Sequence, residues 1–375
     1  MGPRFRKVVI GELDNSSHGA DMNTFLGVGD VNGDGLPDIV LSGRDGQMVW
    51  FENPGRIGPW GKHVIADVTC QECGGSIFDL TGNGYGDVIN GGDWRSGKLL
   101  WWEDPGPAGG AWKQHLIHDT GKGQLHDTLV GRVASESPNC LFFSNQGGND
   151  VYWAPLPDDP HQSPWPEVKL LHHFPEGEHN EGLALADLDG DGGNELVAAT
   201  WWIKHTGEPG REWEGHQFAQ DYLSTKIAVG DVNGDGALEI VLAEGDACIY
   251  AKPEGGKLAY FTRGRDPHAM WTEHLIDDRL QDPHSLQAGD LCGNGRLDLL
   301  VGEIGVRERH EVQPPRLMIY ENGGAGRFTR HVIDEGTGTH DARLVDTRGL
   351  GLLDIVGRPL HGPEKWKVHV YYREP

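Results

Sequence analysis

The chain has 375 residues and a formal net charge of −25, a balance that repels nucleic acid and anionic membrane surfaces. Its 57 glycines, 22 prolines and 13 tryptophans, with 37% apolar residues, fit a turn-rich β protein with a filled core and no disordered tract. No apolar run approaches the roughly 18 residues of a membrane-spanning helix, and the five cysteines (Cys70, Cys73, Cys140, Cys248, Cys292) are odd in number with no disulfide framework.

The opening "FRKVVIGE" at 5–12 reads as a strand and not as a secretory leader. Either the protein stays inside the cell or a leader has been removed. Calcium-type loops further on favour an extracellular or periplasmic location, with a cytoplasmic one left open.

From residue 29 onward the chain repeats itself. "GDVNGDGLPDIVLSG" (29–43) returns as "FDLTGNGYGDVINGG" (78–92), "ADLDGDGGNELVAAT" (186–200), "GDVNGDGALEIVLAE" (230–244), "GDLCGNGRLDLLVGE" (289–303) and "VDTRGLGLLDIVGRP" (345–359). A further copy, "GRVASESPNCLFFSN" (131–145), keeps only the hydrophobic frame. Leading positions at 30, 79, 132, 187, 231, 290 and 346 give a period of 44 to 59 residues, that of a four-stranded propeller blade. Within each unit an apolar run precedes the loop and a second follows it. A third is aromatic ("MVWFENPG", "LLWWEDPG", "LMIYENGG"), and a fourth reads "KHVIADV", "QHLIHDT", "EHLIDDR" or "RHVIDEG". The last unit stops after its third strand, "KVHVYYREP", so the N-terminal strand is expected to supply the fourth and close the ring. The expectation is an all-β, seven-bladed propeller, one domain over residues 1–375, monomeric.

In the first loop Asp30, Asn32, Asp34 and Asp38 alternate along a Gly-bearing turn, which gathers the hard oxygen donors that Ca²⁺ prefers. The fourth unit (Asp187, Asp189, Asp191, Glu195) and the fifth (Asp231, Asn233, Asp235, Glu239) match it. Unit two, with Thr81 and Asn83 between Asp79 and Asp87, is a weaker match, and units six and seven lack the central carboxylates. These loops resemble the FG-GAP/VCBS repeats of integrin α-subunit propellers. The resemblance implies structural Ca²⁺ between the inner strands of a blade.

Six residues before each leading position stands a column that reads Thr24, Cys73, His126, Glu181, Thr225, His284, His340. It lies at the opposite end of the innermost strand from the loops and should therefore ring the channel mouth. Three imidazoles and one carboxylate, His126, His284, His340 and Glu181, are candidates for catalysis or for one shared ion, with Zn²⁺, Mn²⁺ or Fe²⁺ suiting nitrogen-rich ligation. The fourth-strand histidines His63, His115, His274 and His331 occupy a repeated position and read as blade consensus instead.

Connections expected at the same rim carry Trp94, Arg95, Trp201, Trp202, Lys204, Arg307, Arg309, Arg358 and His361, a set suited to an anionic or polyhydroxylated ligand. Calcium-loop propellers with histidines at the channel mouth resemble the propeller of aldos-2-ulose dehydratases and, more distantly, propeller polysaccharide lyases. That resemblance implies metal-assisted β-elimination on a keto- or uronate sugar. A calcium-dependent lectin or adhesion propeller without catalysis is the alternative reading, and it predicts binding residues repeated from blade to blade.

Overall fold

The protein is described by a computed structural model covering residues 2–177, 181–208, 211–250, 252–266, 268–305 and 313–374. These residues form seven antiparallel four-stranded sheets arranged as propeller blades. Blade one runs Asn23–Gly29, Asp38–Gly43, Asp45–Glu52 and Gly61–Thr69 from the channel outward. Blades two to six repeat the order, their innermost strands being Gln71–Phe78, Thr128–Gly131, Leu183–Ala186, Thr225–Gly230 and Pro283–Gly289. In blade seven Asp341–Val345, Asp354–Arg358 and Lys367–Arg373 are completed by the N-terminal Phe5–Glu12, paired from Phe5↔Arg373 to Glu12↔Lys367. The expected closure is present.

Burial follows position in the blade. Second strands such as Asp38–Gly43 and Glu239–Glu244 are buried along their whole length, because both faces meet other blades, and they read as continuous apolar runs. Fourth strands such as Gly61–Thr69 are largely exposed. Each core cluster joins neighbouring blades: Phe25, Val40 and Met48 of blade one pack with Val88 and Trp102 of blade two, and Leu26, Ile39 and Phe51 pack with Val356, Val368 and Tyr372 of blade seven. Among the described residues no helix is long and apolar enough to cross a membrane, and the five cysteines are free thiols.

The loops after the innermost strands share one lock in every blade but the third, where Arg132 holds the leading position; in blade two Asp79 accepts from Asn83 and Gly84. Asp30 accepts backbone N–H bonds from Gly33, Asp34 and Gly35, and Asp187, Asp231, Asp290 and Asp346 do the same in their units. Gly33 and Gly35 sit at φ 73 and 85, where an L side chain is strained. The last acid of the loop is turned inward: Asp38 accepts from Val31 and Asn53, and Asp298 from Leu291, Cys292 and Asn322. Six such acids, Asp38, Asp87, Glu195, Glu239, Asp298 and Asp354, are buried. This explains why the frame persists at Cys292 and Arg296, where the central oxygen donors are missing: the hairpin holds itself together through its two end carboxylates.

Candidate functional site at the channel mouth

The column six residues before each loop does ring one end of the channel. His126 leads into the innermost strand of blade three, Glu181 into that of blade four, His284 stands at the start of blade six's and His340 just before blade seven's. All four are buried. Glu181 is the hub. Its Oε2 lies 2.8 Å from Lys226 Nζ, 3.6 Å from His284 Nε2 and 3.8 Å from His126 Nε2, while Oε1 accepts from Gln146 at 2.5 Å. The rings of His126 and His284 stand 5.9 Å apart, and His284 stacks on His340 at 4.1 Å. His126, Glu181 and His284 offer ligand atoms within 4.8 Å of one another; His340 is set one ring further back.

Each imidazole is oriented by a neighbour. His284 Nδ1 lies 3.1 Å from the carbonyl oxygen of His340, which can only accept, so Nδ1 carries the proton and Nε2 is a lone pair aimed at Glu181. His126 Nδ1 lies 3.1 Å from Asp127 Oδ2. His340 Nδ1 faces Arg358 Nη2 at 2.7 Å and Asp341 Oδ2 at 3.1 Å. Arg358 is fully buried and also donates to the carbonyls of Asn23 and Thr24, tying blade seven to blade one.

These surroundings drive the imidazoles apart in charge. Burial, then Lys226 and His340, hold His284 well below the ordinary histidine value, so it is neutral. Burial also opposes charge on His126, but the carboxylates of Glu181 and Asp127 outweigh it and raise His126 well above that value. Burial would push Glu181 up, yet the charges of His126 and Lys226 keep its carboxyl well below the usual range. His340 falls to about 3 through burial and then Arg358. The thiol of Cys73, in the same ring, is pushed up to about 11 by burial and Glu72, so it is no nucleophile at neutral pH.

The cavity beside this cluster encloses about 390 Å³ and is lined by His126, Asp127, Lys226, His284, Asp341 and Arg343 among others. That is the size of a small-ligand site. Lys226, Asp127, Asp341 and Gln146 were not singled out from the sequence. The first three stand one position after the column, where the units read Phe25, Gly74, Asp127, Gly182, Lys226, Ser285 and Asp341, an equally unrepeated set that was the available signal.

The rim set disperses. Trp94 is exposed at the rim with Arg44 and Arg95 over its ring at 4.8 and 5.3 Å, but Arg95 is paired with Asp93 and Asp45, and Arg44 with Glu72. Trp201, Trp202 and Lys204 do not lie on a rim connection. Blade four's second strand, Glu195–Ala198, turns at once through Ala199, so Trp201–Glu208 is the third strand and its aromatics take the place of those in the other blades. Trp202 is core, packed on His216 at 4.6 Å. Lys204 reaches the opposite face, where its ammonium pairs with Asp189, Asp191 and Glu195 of the fourth loop. Arg358 ends a second strand and is an internal tie, not a rim cation. His361 is half-buried in the connection that follows, and Arg307 and Arg309 lie outside the described residues.

Residues 30–90 and 187–242 match the family model described as FG-GAP-like repeat. The matched spans run from the first loop into blade two and from the fourth loop into blade five, so the chain carries FG-GAP-like repeats folded as blades. No curated protein matches the chain.

Proposed function

We propose that this propeller of FG-GAP-like repeats is a carbon–oxygen lyase, which carries out β-elimination on a keto- or uronate sugar held at the channel mouth. The reading is carried by one arrangement: two buried imidazoles share the Glu181 carboxylate at 3.8 and 3.6 Å, in surroundings that raise His126 above the ordinary histidine value and lower His284 below it. Paired groups pushed apart in this way are the mark of an acid and its base.

His284 Nε2 takes the proton from the carbon beside the carbonyl or carboxylate. The electron pair left on that carbon becomes the new double bond as the β C–O bond breaks, and His126 gives its proton to the departing oxygen. Lys226 and Arg343, both lining the cavity, are the cations that hold the substrate's carboxylate and stabilise the enolate. Each proton transfer contributes about 10² to 10⁴ in rate. The substrate class fits a site where cations face the cavity of a strongly acidic chain.

The three converging ligand atoms favour a second reading, in which His126, Glu181 and His284 hold Zn²⁺, Mn²⁺ or Fe²⁺. Their Nδ1 atoms are already engaged by Asp127 and a main-chain carbonyl, the outer partners that ligating histidines have, although Lys226 competes for Glu181. Such an ion would polarise the carbonyl or carboxylate. The acidic loops of blades one, four and five are proposed to take Ca²⁺ in a structural role.

The test is turnover of uronate and keto-sugar oligomers, followed by the ultraviolet absorbance of the conjugated product, before and after chelation. Activity that survives chelation supports the acid–base pair, and activity restored by a transition metal supports the second reading. Saturable sugar binding without any product overturns both in favour of a lectin.

A further inference from the structure

A second cluster stands outside the channel, on the outer strands of blade two. Fourth-strand histidines repeat one arrangement, an aromatic ring beneath the imidazole and an acceptor beside it. His63 Nε2 lies 2.9 Å from Glu52 over Trp50, His115 Nε2 lies 3.1 Å from Glu103 over Trp101, and His274 bonds Thr262 over Tyr260. Blade two departs from the repeat. A third group, His161, arrives from blade three's connection between Asp150–Pro155 and Lys169–His173, with Nε2 3.5 Å from the same Glu103 oxygen.

The connection is built to deliver it. Trp165 is buried, its backbone N–H donates to Ile117 of blade two and its indole to the carbonyl of Pro160, and Ser163 bonds Leu116. His161 Nδ1 lies 3.0 Å from Asp159, a carboxylate that accepts its proton and leaves Nε2 as a lone pair facing Glu103 and His115. The ligand atoms of Glu103, His115 and His161 lie within 4.8 Å of one another.

We infer that Glu103, His115 and His161 form a zinc-class metal site that clasps blade two to blade three. Two imidazoles and one carboxylate are a donor set that Zn²⁺ favours, with a fourth position left for water. Asp159 supplies the outer carboxylate that orients a ligating histidine. Lys113, 3.6 Å from Glu103 and 71% exposed, is the competing cation and swings into solvent when the ion enters.

The experiment is calorimetric titration of the full chain with ZnCl₂ in a His126→Ala/His284→Ala background, which silences the channel. One zinc equivalent is expected, with a rise in melting temperature. His161→Ala abolishes that equivalent, Asp159→Asn weakens it about 10- to 100-fold, and His63→Ala, in the two-group pair of blade one, leaves it unchanged. Zinc binding that is absent from the background protein, or equal in affinity in His161→Ala, overturns the assignment. If His161→Ala fails to give the circular dichroism of the parent, Asp159→Asn decides alone, and unchanged affinity there is the overturning result.

Discussion

His284 donates its Nδ1–H to the carbonyl oxygen of His340 at 3.1 Å, and the two rings stack at 4.1 Å. Because Arg358 fixes His340 from the other side, the base of the proposed reaction is positioned by a buried chain of contacts that starts at the blade one–blade seven seam. His284→Ala should therefore lower kcat about 10²- to 10⁴-fold with little change in melting temperature. His340→Ala, acting through His284, should lower kcat less and leave KM near the parent value. His331→Ala, in the fourth-strand column, should leave kcat unchanged. Steady-state kinetics beside thermal melts check all three, and a His284→Ala protein with parental kcat removes the base.

Lys226 and Glu181 meet at 2.8 Å in a buried place, so neither charge tolerates the loss of the other. Lys226→Met takes away the nearest cation and leaves Glu181 with His126 at 3.8 Å and Gln146, so it should cost less than the about 3–5 kcal/mol of a wholly unpaired buried charge, and Lys226→Met/Glu181→Gln should recover much of the loss. Denaturant unfolding of the cycle measures the difference. A double variant whose loss equals the sum of the losses of Lys226→Met and Glu181→Gln alone would mean that the pair is not coupled.

The blades were readable because every unit repeats the same loop between the same two apolar runs, and such repetition survives without any knowledge of contacts. The channel column was readable for the opposite reason: His126, Glu181, His284 and His340 break the repeat at one fixed place. Lys226 stands one position further on, where the units break the repeat in the same way, but its neighbours there include Phe25, Gly74 and Gly182, which carry no ligand chemistry to draw attention to the position. Arg358 reads from the sequence as a rim cation because "GRPLHGPEKWK" looks like the connection between a second and a third strand. Its burial depends on the carbonyls of Asn23 and Thr24, more than 330 residues away in the chain. Trp202 and Lys204 were misplaced by the abrupt turn at Ala199, which only the backbone geometry reveals.

The acidic loops should respond unequally to calcium. In blades one and five the central carboxylates Asp34 and Asp235 are exposed, whereas in blade four the ammonium of Lys204 already lies among Asp189, Asp191 and Glu195. Asp34→Ala and Asp235→Ala should each remove one ion and lower the melting temperature, Asp191→Ala should matter less, and Lys204→Ala should tighten calcium binding. Melting curves and calcium titration with and without EDTA check this. An EDTA-treated protein that melts like the calcium-loaded one would reduce the loops to metal-free turns.

Acid should destabilise the fold through histidines buried in neutral form. His369 on the strand that receives the N-terminus drops from 6.5 to about 4 through burial and then Lys7, and His172 drops to about 4 through burial and then His173. Between these values the unfolded chain binds protons that the native state does not, so stability is full above about pH 6.5 and falls as pH drops toward 4. The limiting slope is about 1.4 kcal/mol per pH unit for each such group. His369→Gln should flatten the pH dependence of the unfolding free energy over that window. An unchanged slope would assign the acid sensitivity to other groups.

Ring closure rests on the eight residues of Phe5–Glu12, which pair along blade seven's third strand. Ile10 and the adjoining Leu13 are buried with Val356, Val368 and Tyr372 in the cluster that joins blade seven to blade one. Deleting residues 1–10 therefore uncovers the edge of Lys367–Arg373, whose unpaired N–H and C=O groups invite pairing with another chain. It also opens the packed seam at Ile10. The truncated protein should aggregate on expression, and adding a synthetic peptide of residues 3–13 during refolding should recover soluble material. Light scattering and size-exclusion chromatography read the outcome. A truncated chain that stays monomeric with a parental melting temperature would show that Lys367–Arg373 needs no partner, and that the blade-to-blade clusters alone hold the ring closed.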